Sequence, residues 1–135
     1  MEKISPEEYR RILDGIELKN ILISNIKADL KHELLTEGMK IVIKDDAQYE
    51  MREDDFIIKN KYILTAKNQA NKIALKIECV FIVVFETKYE ITDGFFEIYK
   101  DLSLPLNVWP FFRELVNSTT ARMNIPPLTL PLLKR

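Results

Sequence analysis

Glycine is scarce in this sequence, with three residues in 135, and that scarcity removes most phosphate-binding chemistry at once. A phosphate-cradling loop needs several glycines within a few positions so that the backbone can close on the anion. Histidine occurs once, at His32, so one chain has no histidine pair for metal binding or proton relay. Cysteine also occurs once, at Cys79, which excludes an intrachain disulfide and a cysteine-based zinc site. An excess of charge of either sign is missing too: 20 basic residues balance 21 acidic ones. Without a basic stripe there is nothing to neutralise phosphates and release counterions, so no nucleic-acid partner is expected. The longest unbroken apolar run, residues 79–85, falls far short of the roughly 20 residues of a membrane-crossing helix. Residues 1–11 are polar and charged, with no apolar segment for a secretory signal. Together with the lone cysteine this predicts a cytoplasmic protein.

Catalytic constellations are absent as well. No nucleophile elbow occurs, and nothing in the sequence sets a base beside Cys79, which reads as a buried structural thiol. The acidic clusters Asp45-Asp46 and Glu53-Asp54-Asp55 lack the alternating spacers and turn glycine of a calcium loop. They read as a solvated acidic stretch. His32, between Lys31 and Glu33, reads as a solvent-side residue at a strand end. The expectation is a protein that is not an enzyme and needs no metal or cofactor.

What is present is an ordinary globular composition, 47% hydrophobic and 30% charged, which suits one domain over residues 1–135 and argues against disorder. Ser5-Pro6-Glu7-Glu8 has a capping serine, a proline at the first helical position and acids against the helix dipole, predicting a short helix over residues 6–13 ended by Gly15. From Ile16 the period becomes two, with Ile16, Leu18, Leu22, Ile26, Ala28 and Leu30 on one face. Ile21 and Ile23 interrupt the polar face of that strand. Residues 39–44 form a second extended run and residues 45–55 an acidic stretch. Phe56, Ile58, Tyr62, Leu64 and Ala66 share a face of a third strand, and residues 67–72 form a hairpin turn. In the fourth strand Ile73, Leu75, Ile77, Cys79, Phe81, Val83 and Phe85 alternate, and Val80, Ile82 and Val84 make its second half apolar on both sides. A doubly apolar strand is covered on both sides, by a helix, a partner subunit or both.

Residues 95–102 read as a helical turn or two, and residues 105–124 hold the long helix, with Asn107 as cap and Pro110 in its first turn. Val108, Phe111, Phe112, Leu115, Val116, Thr119 and Met123 recur at helical spacing, while Arg113, Glu114, Asn117 and Arg122 face away. Three prolines force residues 125–133 into an extended tail. The predicted class is α+β: a four-stranded antiparallel sheet with one long C-terminal helix on it and a short N-terminal helix. Bare sheet surface suggests oligomerisation.

The segment Leu106-Asn107-Val108-Trp109-Pro110-Phe111-Phe112-Arg113-Glu114 resembles the signature that opens the main helix of SecB chaperones. Arg122-Met123-Asn124-Ile125-Pro126-Pro127-Leu128-Thr129-Leu130-Pro131 resembles that family's helix exit. Upstream, residues 40–46 resemble the second strand, 47–55 the crossover loop and 56–85 the third and fourth strands, so the resemblance covers about residues 16–132. It implies an ATP-independent holdase, a homotetramer built as a dimer of dimers, which binds unfolded client polypeptides in apolar grooves for protein export. Two departures weigh against the export motor SecA as a partner. The sequence given ends at Arg135, where export chaperones continue into a second helix and an acidic tail. At the positions where the family's sheet meets the motor stand Asn20 and Ser24, leaving Glu78 as the one acid. A dedicated chaperone of one client, such as an antitoxin, and a small apolar ligand carrier are the alternatives.

By the same resemblance the client groove falls on Ile21, Ile23, Ile41, Ile43, Tyr49, Met51, Leu128, Leu130 and Leu132. Apolar, thioether and aromatic groups suit a promiscuous surface because they demand few directional bonds. Such residues fill cores equally well when taken singly; an exposed cluster of them marks binding. The expected oligomer interface comprises Val80, Ile82, Val84, Phe111, Leu115 and Met123.

Overall fold

The computed structural model describes residues 3–131. Helix α1 (Pro6–Asp14) leads into β1 (Ile16–Leu30), and a short 3₁₀ turn (His32–Leu34) precedes β2 (Lys40–Met51). Strands β3 (Asp55–Lys67) and β4 (Ile73–Thr87) follow, then α2 (Asp93–Leu102) and α3 (Leu104–Arg122). The four strands form one antiparallel sheet in the order β1-β4-β3-β2. Consecutive strands β1 and β2 therefore occupy opposite edges, and residues 31–39 must cross from one edge to the other.

The core lies between one sheet face and the helices. Phe56, Ile58, Leu64, Ile77, Phe81, Val83 and Phe85 supply the sheet side. Val108, Phe112 and Val116 of α3, with Phe95 and Tyr99 of α2, supply the other. Rings interlock across the layer: Tyr62 stacks on Phe112 at 4.7 Å and Phe85 meets Tyr99 edge-on at 5.7 Å. Cys79 sits fully buried in this layer, and loss of solvent pushes its thiol up to about 11, as befits an inert side chain.

Several elements differ from the sequence expectations for identifiable reasons. The acidic stretch from Asp45 is no loop. Strand β2 runs on to Met51 and pairs in unbroken register with β3, Asp45 opposite Tyr62 and Met51 opposite Phe56. Charged residues are compatible with an edge strand, whose outer side meets water.

In β1, register shifts at Lys19 and Ser24 each insert one residue. Each insertion flips the alternation, so Leu18, Ile21, Ile23, Ile26 and Leu30 all point to the helix side, while Leu22 points to the other. Ile21 and Ile23 thus interrupt nothing.

Helix α2 is longer than a turn or two, capped by Thr92, whose hydroxyl accepts from Phe95 N–H at 3.1 Å. Helix α3 starts at Leu104, so Pro105 occupies the first turn and Pro110 lies inside the helix. Asn107 is no cap; its amide donates to the Tyr99 hydroxyl at 3.1 Å and ties α3 to α2. The stripe that faces the sheet is Leu104, Val108, Phe112, Val116 and Thr120, whereas Phe111 is half exposed. Gly15 ends α1 in a right-handed conformation rather than the left-handed cap. Its lack of a side chain matters because the Tyr89 ring would lie 2.6 Å from a Cβ there.

Candidate functional site

An apolar cleft of about 290 Å³ opens at the edge of the sheet where the crossover, β2 and the C-terminal segment meet. Leu35 and Met39 come from the crossover, Ile41 from β2, and Ile125 and Leu128 from the chain beyond α3. Ala66 and Leu75 form its floor. No charged residue lines it.

Each wall has a local cause. The crossover is pinned by the β3–β4 hairpin, where Asn68 donates to Leu34 O at 3.0 Å and Gln69 donates to Glu37 O at 3.2 Å. Asn71 takes a positive φ of 62° to make that turn, a conformation asparagine tolerates. The C-terminal segment is laced to α3 by polar groups on one side of the helix. Trp109 donates to Pro131 O at 2.9 Å, Arg113 to Leu130 O at 2.6 Å and Asn117 to the Thr129 hydroxyl at 3.0 Å. Arg113 and Asn117 therefore do not face away into solvent; the proline-rich segment turns back along the helix and meets them.

Thr120 completes the lacing. Buried, its hydroxyl donates to Val116 O and accepts from Leu128 N–H, both at 2.8 Å. Thr120→Val keeps the shape and strands the Leu128 donor, which costs about 1–3 kcal/mol. The expected result is a lower urea midpoint together with faster amide exchange at Leu128.

The structure divides the sequence-derived groove residues. Ile41 and Leu128 line the cleft, and Ile43 packs into the core beside it. Leu130 is buried in the core rather than in a groove, because the Arg113 bond draws its backbone against α3. Tyr49 and Met51 lie on β2, not on a crossover loop, toward the strand's far end. The Tyr49 ring packs against Phe96 at a tilt, centroids 4.7 Å apart, and its hydroxyl donates to Asp93 at 2.6 Å, joining β2 to α2. Ile21 and Ile23 sit on the opposite edge strand, where Ile23 and Ile26 are 46% and 47% exposed. Leu132 lies outside the described residues. Leu35, Met39 and Ile125 were missed; the signal available was that a crossover between opposite edges must pass the end of the sheet.

Burial and the bond to Asp93 push the Tyr49 phenol up from 10.0 to about 12. The neutral phenol is favoured in the folded state, so its contribution is full below pH 10 and is lost as pH rises from 10 to 12. Tyr49→Phe is expected to flatten the stability profile in that window, read by denaturant midpoints at alkaline pH.

The interface candidates fall on two surfaces. Val80, Ile82 and Val84 lie on the sheet face away from the helices. Phe111 is exposed on α3 and Leu115 partly so, while Met123 caps that helix and packs toward the core. Among the described residues no three acidic, histidine or cysteine side chains converge as metal ligands, and no helix is long and apolar enough to cross a membrane.

No protein-family model matches the sequence, and no curated protein matches it significantly. Solved structures do match. A SecB-like chaperone from Mycobacterium tuberculosis, in complex with a peptide from an antitoxin, superposes with a TM-score of 0.79 at 20% identity, over 95% of this chain and 98% of that one. The chain has the SecB-like fold. A protein of unknown function from Streptococcus agalactiae shares the architecture more loosely, with a TM-score of 0.51 at 12% identity over 87% of this chain and 97% of that one. Within the SecB-like fold, Asn20 faces the bare side of the sheet opposite Val84 and Ser24 occupies a bulge. Glu78 is engaged by Lys61 at 3.2 Å, which holds its carboxyl below the usual range.

Proposed function

We propose that this protein is an ATP-independent chaperone that holds extended, apolar segments of unfolded client polypeptides. The observation that carries the reading is the uncharged cleft of Leu35, Met39, Ile41, Ile125 and Leu128 on a SecB-like fold. An open apolar trough suits an unfolded chain because it takes side chains of many shapes without fixed hydrogen-bond partners. A small-ligand carrier would need an enclosed cavity between sheet and helices, and that layer is occupied by the packed rings of Tyr62, Phe85, Tyr99 and Phe112. The exposed flank of α3, with Leu106 and Phe111, suits assembly into the dimer of dimers that the SecB resemblance implies.

A second reading narrows the clientele to one dedicated partner. It is favoured by the Mycobacterium tuberculosis neighbour, which was solved with an antitoxin peptide. It is also favoured by Glu78, which is already paired with Lys61 and so is poorly placed to recruit SecA. The test is dilution of a chemically unfolded protein into buffer with and without this protein and without nucleotide. Suppressed aggregation at near-stoichiometric chaperone supports general holding. No suppression by a folded, oligomeric sample sinks general holding and leaves the dedicated client.

A further inference from the structure

Three methionines stand among the described residues, Met39, Met51 and Met123, and all are half-buried. Met51 lies on β2 opposite Phe56 and Met123 caps α3, each packed toward the core. Of the three, Met39 is the one that lines the apolar cleft, beside Leu35, Ile41 and Leu128. Its backbone is held on both sides. Gln69 donates to Glu37 O at 3.2 Å two residues before it, and Gly38 turns the chain with a φ of 70°. Directly after it Lys40 enters β2 opposite Lys67. The thioether is therefore fixed in the wall of a cleft that opens to solvent. Cys79, by contrast, is fully buried in the helix–sheet layer, out of reach of a dissolved oxidant.

We propose that Met39 is a modification site at which a peroxide turns client holding down, an inference that rests on the chaperone reading of the cleft. The thioether sulfur attacks one peroxide oxygen and the O–O bond breaks. Sulfur keeps that oxygen as a sulfoxide, and the other leaves as water. Sulfur loses two electrons and the peroxide gains them. A soft apolar group thereby becomes a polar hydrogen-bond acceptor. The cleft has little to offer it. No charged residue lines it, its polar side chains are Thr36 and Thr120, and the Thr120 hydroxyl proton is already given to Val116 O at 2.8 Å. While the cleft is empty, water satisfies the new oxygen. A client's apolar side chain expels that water, so oxidation penalises the bound state and leaves the free fold nearly untouched. A dithiol reductant restores the thioether, carrying the oxygen off as water and becoming a disulfide, so the change is reversible.

The experiment treats the full chain with hydrogen peroxide and maps the sulfoxides by peptide mass spectrometry. Parent, Met39→Leu and Met39→Gln are then titrated against a diluted unfolded client by light scattering, with circular dichroism and urea midpoints checking each fold. Oxidised parent is expected to hold client about fivefold more weakly, a smaller loss than a carboxylate causes because the sulfoxide is neutral. Met39→Leu keeps the apolar volume without the sulfur. It is expected to hold client equally before and after peroxide, although Met51 and Met123 remain oxidisable. Untreated Met39→Gln, which sets a neutral polar group at similar length, is expected to match oxidised parent. Methionine sulfoxide reductase with dithiothreitol is expected to return oxidised parent to its starting affinity. Full holding by a parent whose map shows Met39 as sulfoxide overturns the proposal. So does a Met39 that peroxide leaves unchanged, or an equal loss in treated Met39→Leu, which places the damage elsewhere. Those three results leave the chaperone reading standing. If untreated parent and untreated Met39→Leu both fail to hold client, the chaperone reading itself fails and the proposal falls with it.

Discussion

Ile41→Asp is expected to weaken capture of an unfolded client at least tenfold while leaving the fold and the oligomer intact. Ile41 is 40% exposed, so the folded state loses little when it changes. In the cleft it stands beside Met39 and Leu128, where no charge exists. A bound apolar side chain removes surface from water there at about 25 cal/mol per Å². A carboxylate either stays hydrated, keeping the client out, or is buried unpaired at a cost of several kcal/mol. A tenfold loss corresponds to about 1.4 kcal/mol, a modest share of that penalty. Light scattering of a diluted unfolded client, titrated with parent and variant, measures it. Unchanged midpoints would remove the cleft from client binding.

The largest expected effect on stability comes from Phe112→Ala. Phe112 is fully buried at the centre of the helix–sheet layer and stacks on Tyr62 at 4.7 Å, with Trp109 beside it at 6.1 Å. Truncation removes the ring's transfer energy and leaves a cavity that these rigid neighbours fill poorly, a loss of about 3–5 kcal/mol. Because α3 also carries the C-terminal segment through Arg113 and Thr120, client holding should fall with stability. Urea unfolding followed by circular dichroism gives the difference. Phe111→Ala, one residue away and half exposed, is expected to change stability by under about 1 kcal/mol and to act on assembly instead.

The pair Phe111 and Phe112 illustrates what the sequence could and could not convey. Helical spacing placed both on one broad stripe; the helix start decides which of them faces the sheet. That start was obscured by Pro110, which suggested a first turn, whereas Pro105 occupies it and α2 runs almost directly into α3. Strand β4 was legible because seven residues alternate without interruption. Strand β1 was not, because two bulges change parity, and a bulge leaves no mark on residue types when small polar and charged groups supply it. The far half of β2 was hidden by its charge, although its lack of glycine and proline favoured a continuing strand.

The same division holds at the cleft. Asn107, Trp109 and Arg113 drew attention as a motif, and their roles are structural: they fasten α3 to α2 and to the returning C-terminal segment. Ile41 and Leu128 were identifiable as apolar residues in the right segments. Leu35, Met39 and Ile125 follow only from the strand order, which places the crossover beside the C-terminal segment. No local pattern encodes that meeting.

The central claim is that client occupies the cleft between crossover, β2 and C-terminal segment. Hydrogen–deuterium exchange of the full chain, with and without a saturating unfolded client, tests it directly. The expected result is new protection concentrated in residues 34–43 and 125–130. Protection confined to other segments, or none under conditions where a complex is shown to form, would contradict it.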